Sequence, residues 1–202
     1  MLNRRFDSCK TISIISALLI LSGCSSVEVQ SQSFRVAPDS QVESAQIAID
    51  ADFSQYDRLR ASELGIYFPQ SYLTTAEDIA HIRQIFRDAF LAQLETYSIV
   101  QEPGPTTMKV EASIIDMRTS VGDQLPRLRS DIRDMAKPGT IVFLMEMRDS
   151  MTDKVLARAA DSARAPAFAS EDGVETDWAS IEEAAQHWAA LFRTFLDENL
   201  AH

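Results

Sequence analysis

Two stretches of this chain are apolar on one side only, at helical spacing, and they bracket segments with strand-like alternation. In "TTAEDIAHIRQIFRDAFLAQLETY" the residues Ile79, Ile82, Phe86, Phe90, Leu94 and Tyr97 recur at three- and four-residue steps. That spacing places them on one stripe of a helix. Near the C-terminus Trp178, Ile181, Ala185, Trp188, Phe192 and Phe195 repeat the pattern. Helices of this length gain most of their stability by burying such a stripe against something else. Thr75 with Asp78, and Ser180 with Glu183, have the spacing of a capping box and predict where each helix begins.

The segments between supply the surface. Leu64, Ile66 and Phe68 alternate with other residues before Pro69 ends the run, while Leu59 and Ala61 lie in the opposite parity. A break or bulge near Glu63 reconciles the two. Residues 98–101 read as a short strand leading into the turn "EPGP". Met108, Val110, Ala112 and Ile114 then face one way and Lys109, Glu111 and Ser113 the other, with a phase shift at Ile115 that suggests a bulge. Residues 140–148 and 154–161 flank "DSMTD" as a hairpin. The predicted fold is α+β: a two-layer sandwich with a mixed or antiparallel sheet of about five strands and both helices on one face. Parallel strands around the first helix would make a right-handed crossover. Aromatic stripes on helices are read as core rather than as a ligand pocket.

The N-terminus belongs outside this fold. Arg4, Arg5 and Lys10 precede an apolar run, 12–21, that is too short for a permanent membrane span. It ends in Leu21-Ser22-Gly23-Cys24, which resembles the lipobox of bacterial lipoproteins. The resemblance implies cleavage between Gly23 and Cys24 and a diacylglyceryl group on the Cys24 sulfur. Ser25, where Asp would favour inner-membrane retention, implies the periplasmic face of the outer membrane. Acyl chains on one residue hold such an anchor at about 0.8 kcal/mol per buried CH₂. The expected organisation is a signal peptide over 1–23, an acylated cysteine and flexible tether over 24–45, and one globular domain over 46–202.

Cleavage before Cys24 leaves 179 of the 202 residues, with 16 basic and 29 acidic side chains and a formal charge of −13. That charge argues against nucleic acid or anionic head groups as partners, since both want a basic face. Cys9 is removed and Cys24 acylated, so no thiol remains for a disulfide, a metal or a nucleophile. His81, His187 and His202 show no metal-ligand spacing, no G-x-S-x-G elbow surrounds a serine, and no Gly-rich loop suits phosphate. The acid pairs Glu171-Asp172, Glu182-Glu183 and Asp197-Glu198 read as solvated surface, as does the acidic loop 170–177. No cofactor and no metal is implied.

One segment stands apart in charge. In "DQLPRLRSDIRDMAKPG", Leu125, Leu128, Ile132 and Met135 have helical spacing, and Arg127, Arg129, Arg133 and Lys137 gather positive charge in an acidic protein. The plainer reading is a small helix over a sheet edge with its charges paired to Asp131 and Asp134. The sharper one is a docking surface for an anionic partner.

Residues 56–196 resemble an uncharacterised bacterial lipoprotein family, domain of unknown function 3313. Tyr56-Asp57 before a strand, "FRDAFLAQL", "VQEPGPTTMKVEASIID" and "MEMRDSMTDKVLARAAD" carry the likeness. It implies a fold and an envelope address and no catalytic residue. The expected function is a non-enzymatic envelope lipoprotein, held to the membrane by its N-terminal lipid and presenting an interaction module to a protein partner. The alternative is a carrier that binds a lipid, glycan or peptide between helix layer and sheet. A hydrolase with an unrecognised site ranks last.

Overall fold

The computed structural model describes residues 32–37, 40–67, 75–116, 129–165 and 176–200. Gly23, Cys24 and Arg127 lie outside them, as do residues 24–31 and 38–39 of the segment expected as a tether. Eight strands form one sheet. They are β1 (Phe34–Val36), β2 (Ser44–Ala48), β3 (Arg58–Ala61), β4 (Gly65–Tyr67), β5 (Ser98–Ile99), β6 (Thr107–Asp116), β7 (Thr140–Asp149) and β8 (Val155–Arg164). Among the described residues three α-helices accompany them: α1 (Ala76–Gln93), α2 (Ser130–Met135) and α3 (Trp178–Asn199). The order is β1-β2-β8-β7-β6-β3-β5, with β4 pairing β6 further along. Pairing is antiparallel from β1 to β6, and β3, β4 and β5 add in parallel.

The α+β class and the mixed sheet match the pattern read from the sequence, but the sheet is larger than five strands. The first predicted strand is two: Ala61 pairs with Val110 and Gly65 with Ser113, so four steps on one side meet three on β6. That extra residue is the break expected near Glu63. The other additions, β1 and β2, come from residues assigned to the tether, whose expected boundary at 45 cuts through β2. Both are short, and their order comes from pairing, β2 along β8 and β1 along β2, rather than from a sustained hydrophobic pattern.

The phase shift at Ile115 is not a bulge. β6 pairs with β7 without interruption from Met108↔Asp149 to Asp116↔Ile141. Ile115 instead packs on the reverse face of the sheet, beneath α2. The irregularity of the sheet falls between β7 and β8, at Met147/Arg148. Central β7 is apolar on both faces: Ile141, Phe143, Met145 and Met147 join the main core, while Val142 and Leu144 pack with Ile132 and Met135 of α2. α2 therefore lies over β7 and β8 rather than over a sheet edge.

α1 and α3 pack against each other as one layer over the main core. Phe143 of β7 stacks on Trp188 at 4.6 Å between centroids and on Phe86 at 6.0 Å. Burying each such side chain contributes about 1.5–3 kcal/mol, and aromatic pairs at this spacing add about 0.5–1.5 kcal/mol. The α1 capping box forms: the Thr75 hydroxyl accepts from the Asp78 N–H at 3.1 Å, and Asp78 accepts from the Thr75 N–H at 2.9 Å. α3 starts earlier than Ser180 and Glu183 suggested. Asp177 caps it, accepting from the Ser180 N–H at 3.1 Å, so Ser180 sits inside the first turn.

The Tyr56 of the family motif has a structural task. Its buried hydroxyl donates to Asp149 at 2.9 Å, and the same carboxylate accepts from the N–H groups of Met151 and Thr152 at 3.0 and 2.7 Å. The β7–β8 turn is thereby fastened to the chain entering β3.

Candidate functional site

The helix-facing side of β8 is built from small residues. Pairing with β7 sets Ala157 against Met147, Ala159 against Met145, and Asp161 against Phe143. Ala45 and Ile47 of β2 continue that side. α3 crosses above carrying Trp188, Leu191 and Phe195. Side chains that stop at Cβ leave a low floor under a helix held up by aromatic rings elsewhere, and the gap persists as a cavity.

The cavity has a volume of about 370 Å³. Its walls include Ile47, Met145, Met147, Leu191, Phe192 and Phe195, and it runs along α3 from Trp188 to Asn199. Eleven helical steps span about 16 Å, so the space is elongated. Three-carbon thioether chains such as those of Met145 and Met147 adapt readily to an apolar guest. Polar groups line its borders: Ser40 and Gln41 from the β1–β2 connection, Thr194, Glu198 and Asn199 from α3, and Arg35 from β1. Arg35 is exposed and sits level with Ile47, at the Ala157 end.

Asp161 lies at the opposite end, and it is only 9% exposed. One carboxylate oxygen accepts from the Trp188 indole N–H at 2.9 Å, the other from the Glu43 backbone N–H at 3.3 Å. The Nε2 of His187, which carries charge only when protonated, is 3.9 Å away on a largely exposed side chain. This acid was read from the sequence only as the end of a strand. The available signal was its place in the parity of Ala157 and Ala159, which carries it to the helix side once β8 is paired.

The reverse face of the sheet carries charge differently. Arg148 pairs with Glu111 at 2.9 Å, with Asp153 at 3.3 Å and with Glu146. Glu146 also takes Arg158 at 2.8 Å. Lys109 bridges Glu111 at 2.7 Å and Asp153 at 3.0 Å. Arg129, from the basic segment, is turned into this network: it meets Asp131 at 2.8 Å and Glu146 at 3.8 Å. The Ser44 hydroxyl donates to Asp131 at 2.8 Å and so ties α2 to β2. Burial works against the Asp131 charge, but the Arg129 and Ser44 hydrogen bonds outweigh it and hold the carboxyl below its ordinary range. Arg133 on α2 and Lys137 just beyond its C-terminal end are exposed. Of the four basic residues, Arg129 pairs within this network and Arg127 lies outside the described residues.

The remaining polar residues fall in ordinary places. His81 is exposed and its ring lies against Trp178 at 4.2 Å between centroids. Glu182 and Glu183 are exposed on α3, and Asp197 accepts from Tyr97 at 2.6 Å and Arg193 at 2.8 Å. His202 and the pair Glu171-Asp172 lie outside the described residues. Among the described residues no group of three or more His, Cys, Asp or Glu could hold a metal ion, and no hydroxyl donates to a histidine.

The chain was compared with known proteins. No curated protein matches it. Solved structures that the chain matches include the PelC dodecamer from Paraburkholderia phytofirmans, at 9% identity and a TM-score of 0.38, covering 78% of this chain and 98% of that one. A PDZ domain protein from Parabacteroides distasonis is 11% identical with a TM-score of 0.42, and the match covers 81% of this chain but 36% of the other. A DUF4136 family protein from Bacteroides thetaiotaomicron is 9% identical with a TM-score of 0.41, covering 76% and 92%. The profile of the protein family of unknown function DUF3313 matches residues 45–192, from β2 through most of α3. The chain belongs to the DUF3313 family.

Proposed function

We propose that this protein is a cell-envelope lipoprotein whose globular domain is a non-enzymatic carrier, holding a small apolar ligand between α3 and the sheet. The observation that carries the reading is the 370 Å³ cavity, walled by apolar side chains from both layers and bordered by a few polar groups. Its size is at the lower end of the 300–1,000 Å³ typical of ligand sites, which suits one slender molecule rather than a folded partner. The lipobox supports anchoring through Cys24 to the periplasmic face of the outer membrane. No helix among the described residues is long and apolar enough to cross a membrane.

Two experiments test this. Cys24→Ala should move the chain from the membrane to the soluble fraction of cells; unchanged fractionation removes the anchor from the proposal. Native mass spectrometry of the purified full-length chain should show an added small-molecule mass that Ala159→Leu, which fills the cavity floor, abolishes. Crosslinking in intact cells that recovers a specific protein partner equally well with Ala159→Leu, with no bound mass in either chain, would replace the carrier with the accessory-module reading.

A further inference from the structure

The cavity is walled mainly by apolar side chains with polar residues such as Gln41, Thr194 and Glu198 on its borders, and the largely buried carboxylate of Asp161, its side chain 13% exposed, closes one end. A carboxylate offers about four acceptor positions, and Asp161 uses two of them, on the neutral donors of Trp188 and Glu43. His187 stands beyond hydrogen-bonding reach at 3.9 Å. Buried charge that keeps so few partners is costly, and the cost falls when a cation with hydrogen-bond donors arrives. We infer that the ligand of this cavity is an apolar molecule bearing one ammonium group, the chain lying along α3 and the cation donating to Asp161. The inference rests on the carrier reading and names its ligand class.

The rest of the site favours that choice over two others. A neutral chain would fill the same volume and further dry the surroundings of Asp161 without pairing it. An alkyl carboxylate would either place like charge against Asp161 or turn round to meet Arg35. Arg35 is exposed at the far end, about 13 Å from Asp161 along the strands and two strands, or about 10 Å, across the sheet, where a solvated arginine gains little from pairing. The protein's formal charge of −11 also draws cations toward its surface and repels anions.

The test uses three probes with one chain length, n-decylamine, n-decanol and decanoate, each kept below micelle-forming concentration. They are titrated calorimetrically at pH 7 into the full-length chain held in nanodiscs. Ala159→Leu in the same particles reports what partitions into lipid. The amine should bind at least about tenfold tighter than the alcohol, as a charge-assisted hydrogen bond supplies, and decanoate weakest of the three. Asp161→Asn should bring amine and alcohol within about threefold while leaving the alcohol unchanged. Equal binding of the three probes to the wild-type chain, or tightest binding of decanoate, overturns the ammonium inference and leaves the carrier standing. Heats identical in wild-type and Ala159→Leu chains overturn both. The wild-type series decides the question even if Asp161→Asn fails to fold.

Discussion

The two faces of the sheet treat charge in opposite ways. On the reverse face, Lys109, Glu111, Glu146, Arg148 and Arg158 stand on neighbouring strands and answer one another across the ladder, with Arg129 and Asp131 completing the set from α2. Each charge there has an opposite charge beside it, and the side chains are partly exposed, from 19% to 37%. On the helix face a single acid, Asp161, is buried among apolar side chains with two neutral donors and a cavity beside it. A network in which every charge faces an opposite charge needs no ligand to explain it, although the Nε atoms of Arg148 and Arg158 are buried there without a hydrogen-bond partner of good geometry. A buried charge left with open acceptor positions does, and this is why the candidate site is placed under α3 and not on the basic segment.

Removing Trp188 should produce the largest effect. It stacks on Phe143, is 2% exposed, and supplies the indole N–H to Asp161. Trp188→Ala should cost about 3–5 kcal/mol, as large-to-small core changes do, read from urea unfolding of the full chain. Trp188→Phe keeps the ring and removes the donor, and should cost about 1–3 kcal/mol for the acceptor left short. Adding Asp161→Leu to Trp188→Phe removes both polar partners and should restore most of that loss. A double variant no more stable than Trp188→Phe would show that Asp161 serves the fold, and the contrast between the faces would then lapse.

Much of this arrangement could be read from the residues, and the failures have physical causes. The α1 and α3 stripes, the α1 cap and the β7–β8 hairpin depend on local periodicity, so they appear in the sequence and again in the structure. Strands β1 and β2 have no such pattern; they are ordered by the β8 edge, which is distant in sequence. The placement of α2 was hidden in Ile115, whose apparent phase error is the reverse face asking for cover. The cavity is a missing volume, and a missing volume belongs to no single segment. The alanines at 157 and 159 were visible, but nothing local says that α3 lies over them or that Met145 and Met147 leave the gap unfilled. Asp161 had to be paired before its direction was defined. For Gly23 and Cys24 the sequence remains the source of the reading.

On the reverse face, a single deletion should be mild. Glu146 touches Arg148 and Arg158 and approaches Arg129, and its side chain is 26% exposed. Glu146→Gln should destabilise by about 1 kcal/mol or less, because partly solvated pairs are worth little individually. The deficit should shrink further in 1 M salt, where the Debye length falls to about 3 Å. A loss above about 3 kcal/mol that salt leaves unchanged would mark this network as desolvated core, erasing the distinction from Asp161.

The smallest expected effect concerns acid. The Asp131 carboxyl titrates below its ordinary value of 3.8 in the folded chain, so the folded state favours its charged form. Its contribution is present above the unfolded-state value and is lost as pH falls through the folded one. Wild-type stability should therefore fall more steeply than that of Asp131→Asn as the pH drops below about 4, by no more than about 1.4 kcal/mol per pH unit for one group. Asp149 titrates low for a similar reason, its hydrogen bonds outweighing burial, so only the difference between the two chains isolates Asp131. Urea midpoints at several pH values give that difference, and hydrogen exchange at the amides of α2 locates it. Parallel curves for the two chains would mean that the Arg129 and Ser44 contacts do not hold α2 to the sheet. Arg129 would then be free to join Arg133 and Lys137 as an exposed basic surface, and the reverse face would regain a claim to function.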